Sequence, residues 1–214
     1  AKDYYQKAIA INSSYAPALT NLGIIELIKG NKQIAISFLR KATESDPQLA
    51  IAWGGLANGY VQLGNIKEAE ISCRKAIELN PNLYTCYFLL GTILIGEKKT
   101  QEAELSIRKG IEIKPDDAKA HSNLGNVLKD LGKLQDAEFS YRKAIELNTG
   151  FTEAHYNLGN ILRDLGKLQD AEFLYRKAIE LNPDFAEAHF NLGNILRDLG
   201  KLQDAELSTR KAIE

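Results

Sequence analysis

The sequence predicts an all-α solenoid of stacked helix pairs, and three observations predict it. Asn157–Glu172 and Asn191–Glu206 both read NLGNILRDLGKLQDAE, 34 residues apart, and a third copy opening at Asn123 differs only at Val127 and Lys129. A fixed period of this length marks one small supersecondary unit repeated along the chain. Each period also carries two apolar stripes at helical spacing, joined by a short turn. Finally, Gly and Pro punctuate the stripes where helices must end and reopen.

Aligned on Ala69, Ala103 and Ala137, the units fall out in order. Residues 1–12 form a remnant second helix, because Tyr5, Ala8 and Ile9 match Tyr175, Ala178 and Ile179. Unit one is Ser13–Asp46. Unit two is Pro47–Asn80, and its first helix, Ala50–Leu63, contains Gly54, Gly55 and Gly59. Each interior Gly costs about 1 kcal/mol relative to Ala. Gly55 therefore marks either a close approach of a ligand backbone or a weak unit. Unit three is Pro81–Lys114 and unit four Pro115–Asn148. Unit five, Thr149–Asn182, opens on Thr149-Gly150 in place of the usual Pro-x, which makes that junction a candidate hinge. Its helices are read as Thr152–Leu165, ended by Gly166, and Leu168–Leu181. Unit six, Pro183–Glu214, stops short and leaves Leu207, Ala212 and Ile213 as an uncapped apolar stripe. Arrays need polar caps for solubility, so end-to-end self-association is an expected behaviour. With no Met, the chain reads as a fragment.

The residues of unit two carry a resemblance. Trp53-x-x-Leu56-Ala57-x-x-Tyr60, then Ala69, then Pro81, is similar to the tetratricopeptide repeat signature. Small residues recur at Gly23, Ala57, Gly91, Gly125, Gly159 and Gly193, and again at Ala35, Ala69, Ala103, Ala137, Ala171 and Ala205. A third small register runs through Ala42, Ala76, Gly110, Ala144, Ala178 and Ala212. The resemblance covers the whole chain. It implies a right-handed superhelix whose first helices line a concave groove, with second helices on the outer wall, and a role in binding proteins or peptides.

Bulk composition removes several function classes. Lys+Arg total 27 against Asp+Glu 28, a net charge of −1, so no basic field points to nucleic acid. No apolar run reaches the length of a membrane span. Cys73 and Cys86 fall in apolar registers and read as buried reduced thiols, which suits a reducing, cytoplasmic setting. His121, His155 and His189 recur in the core register of Leu19, Trp53 and Tyr87. Equivalent positions in stacked pairs lie about 10 Å apart, too far to share one ion, so packed histidine is expected and no metal. No nucleophile–base–acid set or phosphate loop stands out, so neither an enzyme active site nor a cofactor is expected.

Two surface patterns remain. Glu70, Glu104, Glu138, Glu172 and Glu206 precede Arg74, Arg108, Arg142, Arg176 and Arg210 by four, and Glu78, Glu112, Glu146, Glu180 and Glu214 follow those arginines by four. Such pairs read as a solvated outer wall, each worth about 0.2–0.5 kcal/mol. The inner face is more informative. Asn21, Asn123, Asn157 and Asn191 share one register, and Asn58, Asn126, Asn160 and Asn194 another. Repetition alone copies asparagines as it copies everything else. Yet Asn is a mediocre helix former, and a row of amides offers donors and acceptors to a ligand backbone. Ala120-His121-Ser122-Asn123-Leu124 resembles units of the O-linked N-acetylglucosamine transferase superhelix. That resemblance implies an asparagine ladder at Asn123, Asn157 and Asn191, interrupted by Gly55 and Leu89; a substrate-recruiting region of a larger enzyme, such as a glycosyltransferase, is a rival to a free-standing binding scaffold. Asn126, Asn160 and Asn194 support the ladder. Asp130, Asp164 and Asp198, beside Lys129, Arg163 and Arg197, are expected to select basic or hydroxyl side chains. Toward the N-terminus, Leu27, Val61, Phe88, Leu89 and Ile95 are expected to form an apolar groove end. The expected ligand is a protein or extended peptide; a purely architectural module is the rival.

Overall fold

The computed structural model describes residues 2–213, so Ala1 and Glu214, the last member of the acidic row, lie outside it. The described residues form thirteen helices and no strand. After α1 (Lys2–Ile11) come six pairs: α2 (Ala16–Ile28) with α3 (Lys32–Ser45), α4 (Ala50–Leu63) with α5 (Ile66–Leu79), α6 (Tyr84–Gly96) with α7 (Thr100–Ile113), α8 (Ala118–Asp130) with α9 (Leu134–Leu147), α10 (Thr152–Asp164) with α11 (Leu168–Leu181), and α12 (Ala186–Asp198) with α13 (Leu202–Lys211). The helices of each pair pack along their length across a turn of two to three residues, so they run antiparallel.

The chain divides into two compact units, Ala1–Pro115 and Asp116–Glu214. The division lies at Pro115/Asp116 and not at Thr149-Gly150. That junction is tied down instead: the Asn148 carboxamide oxygen accepts from the Gly150 amide at 3.1 Å, and His155 Nε2 donates to the Thr149 carbonyl at 3.0 Å. The first contact is one of a series. Asn12, Asp46, Asn80 and Asn182 likewise accept from the amide two residues on, forming the Asx turn that opens every pair but α8–α9, where Lys114 holds the place.

Within each unit the pairs stack in chain order. In the first unit α2 touches α4 and α4 touches α6, and in the second α8 touches α10. Second helices of successive pairs make no comparable contact among the described residues. The first helices therefore line the inner side. Close approach within a pair rests on the small registers. A methyl group at Gly159 would lie 2.8 Å from the buried Tyr175 ring. The three glycines of α4 are explained the same way. A Cβ at Gly54 would meet Cys86 Sγ at 2.9 Å, at Gly55 Leu39 at 2.8 Å, and at Gly59 Ile36 at 3.0 Å. The notch at Gly55 is thus filled by Leu39 and offers nothing to a ligand.

Left-handed backbone closes the turn inside each pair at Gly30, Gly64, Gly132, Gly166 and Gly200. Lys98 holds the same place with φ 59°, the one departure in the row. Cys73 and Cys86 are buried free thiols.

The outer wall corrects one expectation. Arg74, Arg108, Arg142, Arg176 and Arg210 do pair back to the glutamate four residues earlier. The later glutamates pair elsewhere: Glu78, Glu112, Glu146 and Glu180 take the lysine three residues before them, at 2.7–2.9 Å. The arginines are already committed, and Arg74 also crosses to Glu102 at 3.0 Å. The half-committed acids gain a second cation from the next pair: Lys99 reaches Glu70, Lys167 reaches Glu138 and Lys201 reaches Glu172. These bridges link successive second helices that do not otherwise pack.

Candidate functional site: the amide row of the second unit

The predicted site residues of the second unit lie on the exposed side of α8, α10 and α12. Their buried neighbours Leu124, Leu128, Leu158, Leu162, Leu192 and Leu196 face the second helices. That leaves Asn123, Asn126, Asn157, Asn160, Asn191 and Asn194 half-buried on the other flank.

The amides are not independent. The Tyr141 hydroxyl donates to Asn126 Oδ1 at 2.7 Å, and Asn157 Nδ2 donates to the same oxygen at 3.3 Å. One pair further along, the Tyr175 hydroxyl donates to Asn160 Oδ1 at 2.9 Å and Asn191 Nδ2 donates to it at 2.9 Å. Asn191 Nδ2 also donates to the Tyr156 hydroxyl at 3.1 Å. Each Tyr–Asn–Asn chain thus couples a second helix, its own first helix and the first helix of the next pair. Tyr141 and Tyr175 are fully buried. Burial, before any neighbouring charge, holds both phenols protonated and pushes the Tyr175 pKa up to about 12. They remain hydroxyl donors throughout the working pH range.

The network sets what a ligand would find. Asn126 and Asn160 have spent both lone pairs of the carboxamide oxygen and keep their N–H groups. Asn157 and Asn191 have spent donors and keep their oxygens. The row therefore alternates donors and acceptors. Its two ends, Asn123 and Asn194, have no side-chain hydrogen-bond partner among the described residues.

The charged flank differs from the expectation. Arg163 forks onto Asp164 at 2.9 and 3.1 Å, and Arg197 lies 3.6 Å from Asp198. Each of those two carboxylates therefore has an exposed arginine of its own helix beside it. Lys129 and Asp130 are exposed. Aromatic surface borders the row: the Tyr156 ring packs 4.8 Å from Phe185, and Phe190 is 54% exposed.

In the first unit the apolar end is smaller than the sequence suggests. Leu27 is 5% exposed and lies beside Gly59 of the next first helix. Val61, Phe88, Leu89 and Ile95 are half-buried, with Phe88 lying against Gly110 and edge-on to Tyr84 at 5.8 Å. Asn21 donates to the Pro17 carbonyl of its own helix, and Asn58 accepts from Gln62, so neither joins the row. The histidines sit in the core: His189 Nε2 donates to the Pro183 carbonyl at 2.8 Å, repeating the His155 contact. No cluster of three or more metal-ligating side chains occurs among the described residues, and no helix there is long and apolar enough to cross a membrane.

Sequence reasoning missed Tyr141 and Tyr175. Their signal was present: each stands 15 residues after its asparagine. Elsewhere that register holds Leu39, Cys73, Ile107 and Thr209, and the network does not form.

The family model for the cilia and flagella-associated protein 70 C-terminal domain matches residues 1–190. The tetratricopeptide repeat model matches residues 186–214. The chain belongs to the tetratricopeptide repeat family. No curated protein matches it. Among solved structures it is similar to YrrB, described as a TPR protein with an unusual peptide-binding site, at 26% identity and a TM-score of 0.76, covering 88% of this chain and 97% of that one. It is also similar in fold to pilF of Pseudomonas aeruginosa, at 22% identity and a TM-score of 0.79, covering 90% and 88%. MamA matches at 24% identity and a TM-score of 0.71, covering 74% and 92%.

Proposed function

We propose that this tetratricopeptide repeat chain is a binding scaffold, without catalysis of its own, that holds an extended peptide along the inner side of α8, α10 and α12. The observation that carries the reading is the alternation of unspent donors on Asn126 and Asn160 with unspent acceptors on Asn157 and Asn191. An extended backbone presents the matching alternation of C=O and N–H, so main-chain bonds supply affinity independent of ligand sequence. Phe190 and the Tyr156–Phe185 stack add apolar surface for an intervening side chain. The likeness to a peptide-binding repeat protein supports the same reading. With Asp164 and Asp198 paired internally, Asp130 is the carboxylate left to contact a basic side chain.

The test is an immobilised array of extended peptides probed with the chain and with an Asn123→Ala/Asn157→Ala/Asn191→Ala variant. Loss of these side chains leaves the Tyr141 and Tyr175 hydroxyls their acceptors on Asn126 and Asn160. Capture is expected to fall about tenfold, the cost of about 1.4 kcal/mol in lost contacts. Equal capture by both proteins removes the reading.

A further inference from the structure

Three departures from the repeat meet at one place in the first unit, where α4, α5 and α6 pack on one another. The register of Cys86 is alanine in every other first helix, Ala52 and Ala120 among them. The register of Cys73 holds Leu39 and Ile107 in the neighbouring pairs, and that of Gly54 holds Thr20 and Phe88. The exchanges compensate one another. Cys86 adds a sulfur where alanine is the rule, and Gly54 gives up the side chain the sulfur would meet. A Cβ at Gly54 would lie 2.9 Å from Cys86 Sγ. Cys73 is shorter than the Leu39 and Ile107 of its register. The outcome is two free thiols, 0% and 1% exposed, hydrogen-bonded to each other across α5 and α6.

The two sulfurs are not equivalent. The hydrogen bond with Cys86, with burial adding to it, pushes the Cys73 thiol up. The same hydrogen bond outweighs burial at Cys86 and holds that thiol below the usual cysteine range. Cys73 therefore keeps its proton and donates it, and Cys86 carries the thiolate character that makes a sulfur nucleophilic. Burial of both excludes bulky oxidants and admits one near the size of water. We propose that Cys73 and Cys86 are a peroxide-sensitive pair that closes to a disulfide stapling α5 to α6. The Cys86 sulfur attacks one oxygen of hydrogen peroxide and the O–O bond breaks. The second oxygen leaves as water with the proton that Cys86 gave up, and Cys86 becomes a sulfenic acid. The Cys73 sulfur then attacks the Cys86 sulfur, the S–O bond breaks, and the hydroxyl leaves as a second water with the Cys73 proton. Two electrons pass from the sulfur pair to the peroxide. The sulfurs, already hydrogen-bonded, need only close to about 2 Å. The bridge fixes the second helix of one pair to the first helix of the next and is independent of the amide row.

The test exposes the whole reduced chain to hydrogen peroxide, then unfolds it in urea with iodoacetamide and reads the intact mass. The expected product is a monomer lighter by two hydrogens that takes up no iodoacetamide until dithiothreitol is added. A bulky aromatic disulfide reagent should leave both thiols untouched in the folded chain and titrate both in urea. Cys73→Ala should stop the reaction at a sulfenic acid on Cys86 that dimedone traps. Cys86→Ala, which restores the residue of the other pairs, should leave Cys73 unmodified. The bridge should raise the melting midpoint by about 5–10 °C, and dithiothreitol should reverse the gain. The proposal is overturned by two alkylated cysteines after peroxide, by sulfinic or sulfonic acids in place of the bridge, by a covalent dimer, or by a midpoint that falls on oxidation. Ready reaction of the folded chain with the aromatic reagent would overturn the selection by size, and dimedone on Cys73 in the Cys86→Ala variant would overturn the assignment of the attacking sulfur.

Discussion

Asn160 and Asn194 occupy the same register of successive first helices, but only Asn160 is wired into its surroundings. Replacing Asn160 by Ala removes the acceptor of the Tyr175 hydroxyl and of the Asn191 amide, both at 2.9 Å. Asn191 retains the Tyr156 hydroxyl. Tyr175 retains nothing and is fully buried, so its hydroxyl becomes an orphan. An unsatisfied buried donor costs about 1–3 kcal/mol, while Ala returns roughly 0.5 kcal/mol through helix propensity. The expected net loss is about 1–2 kcal/mol. At about 2–4 °C per kcal/mol for a chain of this size, the melting midpoint should fall by about 2–8 °C. Asn194→Ala deletes a side chain without a partner, so only the propensity gain remains and the midpoint should hold or rise slightly. Far-UV circular dichroism melts and urea titrations of the two variants make the comparison. Adding Tyr175→Phe to Asn160→Ala removes the orphan and should restore about 1 kcal/mol, a coupling that separate side chains would not show. Equal midpoints for the two alanine variants would refute the network as a structural element.

Three further outcomes follow from the same structure. Lys98→Gly relieves the left-handed backbone at φ 59°, worth about 1–2 kcal/mol, against roughly 0.4–1 kcal/mol of added unfolded-state entropy; a gain of about 0.5–1 kcal/mol in urea is expected, and a loss would show that the turn is not strained. Gly159→Ala drives a methyl group into the Tyr175 ring, and overpacking of about 1–3 kcal/mol less about 1 kcal/mol of helix propensity should lower the midpoint, whereas a rise would mean the ring can yield. For Glu138 and Glu172, burial pushes the carboxyls up, but Lys167 or Lys201 together with the arginine four residues on outweighs it and holds both below their usual range. Their stabilisation is therefore present above the ordinary carboxylate range and lost as pH falls through the lowered value. Melting below about pH 4.5 should drop more steeply than in a Lys167→Met/Lys201→Met variant, by about 0.2–1 kcal/mol per bridge; identical acid profiles would remove the bridges from the account.

Much of the fold was legible because it is written at short range. Helix periodicity, the Gly that ends a helix and the Pro that opens a unit each depend on residues a few positions apart, and 34-residue copying reinforces every local signal. The small registers were readable too, since a Gly recurring among apolar residues implies a neighbour close by. The asparagines were visible as a row, but their chemistry was not. Whether Asn160 is a free clamp or a spent acceptor depends on Tyr175 and Asn191, which the chain separates by 15 and 31 residues. The same limit governs Asp164, which has Arg163 beside it, and Leu27, which the neighbouring helices bury.

The sequence by itself determined the helices, their pairing and the repeat, because backbone propensity and apolar spacing act within a turn or two of the chain. Only the tertiary structure decided which amide atoms remain open and which side chain fills each space beside a glycine. Hydrogen-bond satisfaction and space filling are settled by atoms from three helices meeting at about 3 Å, a distance that no register along one chain records.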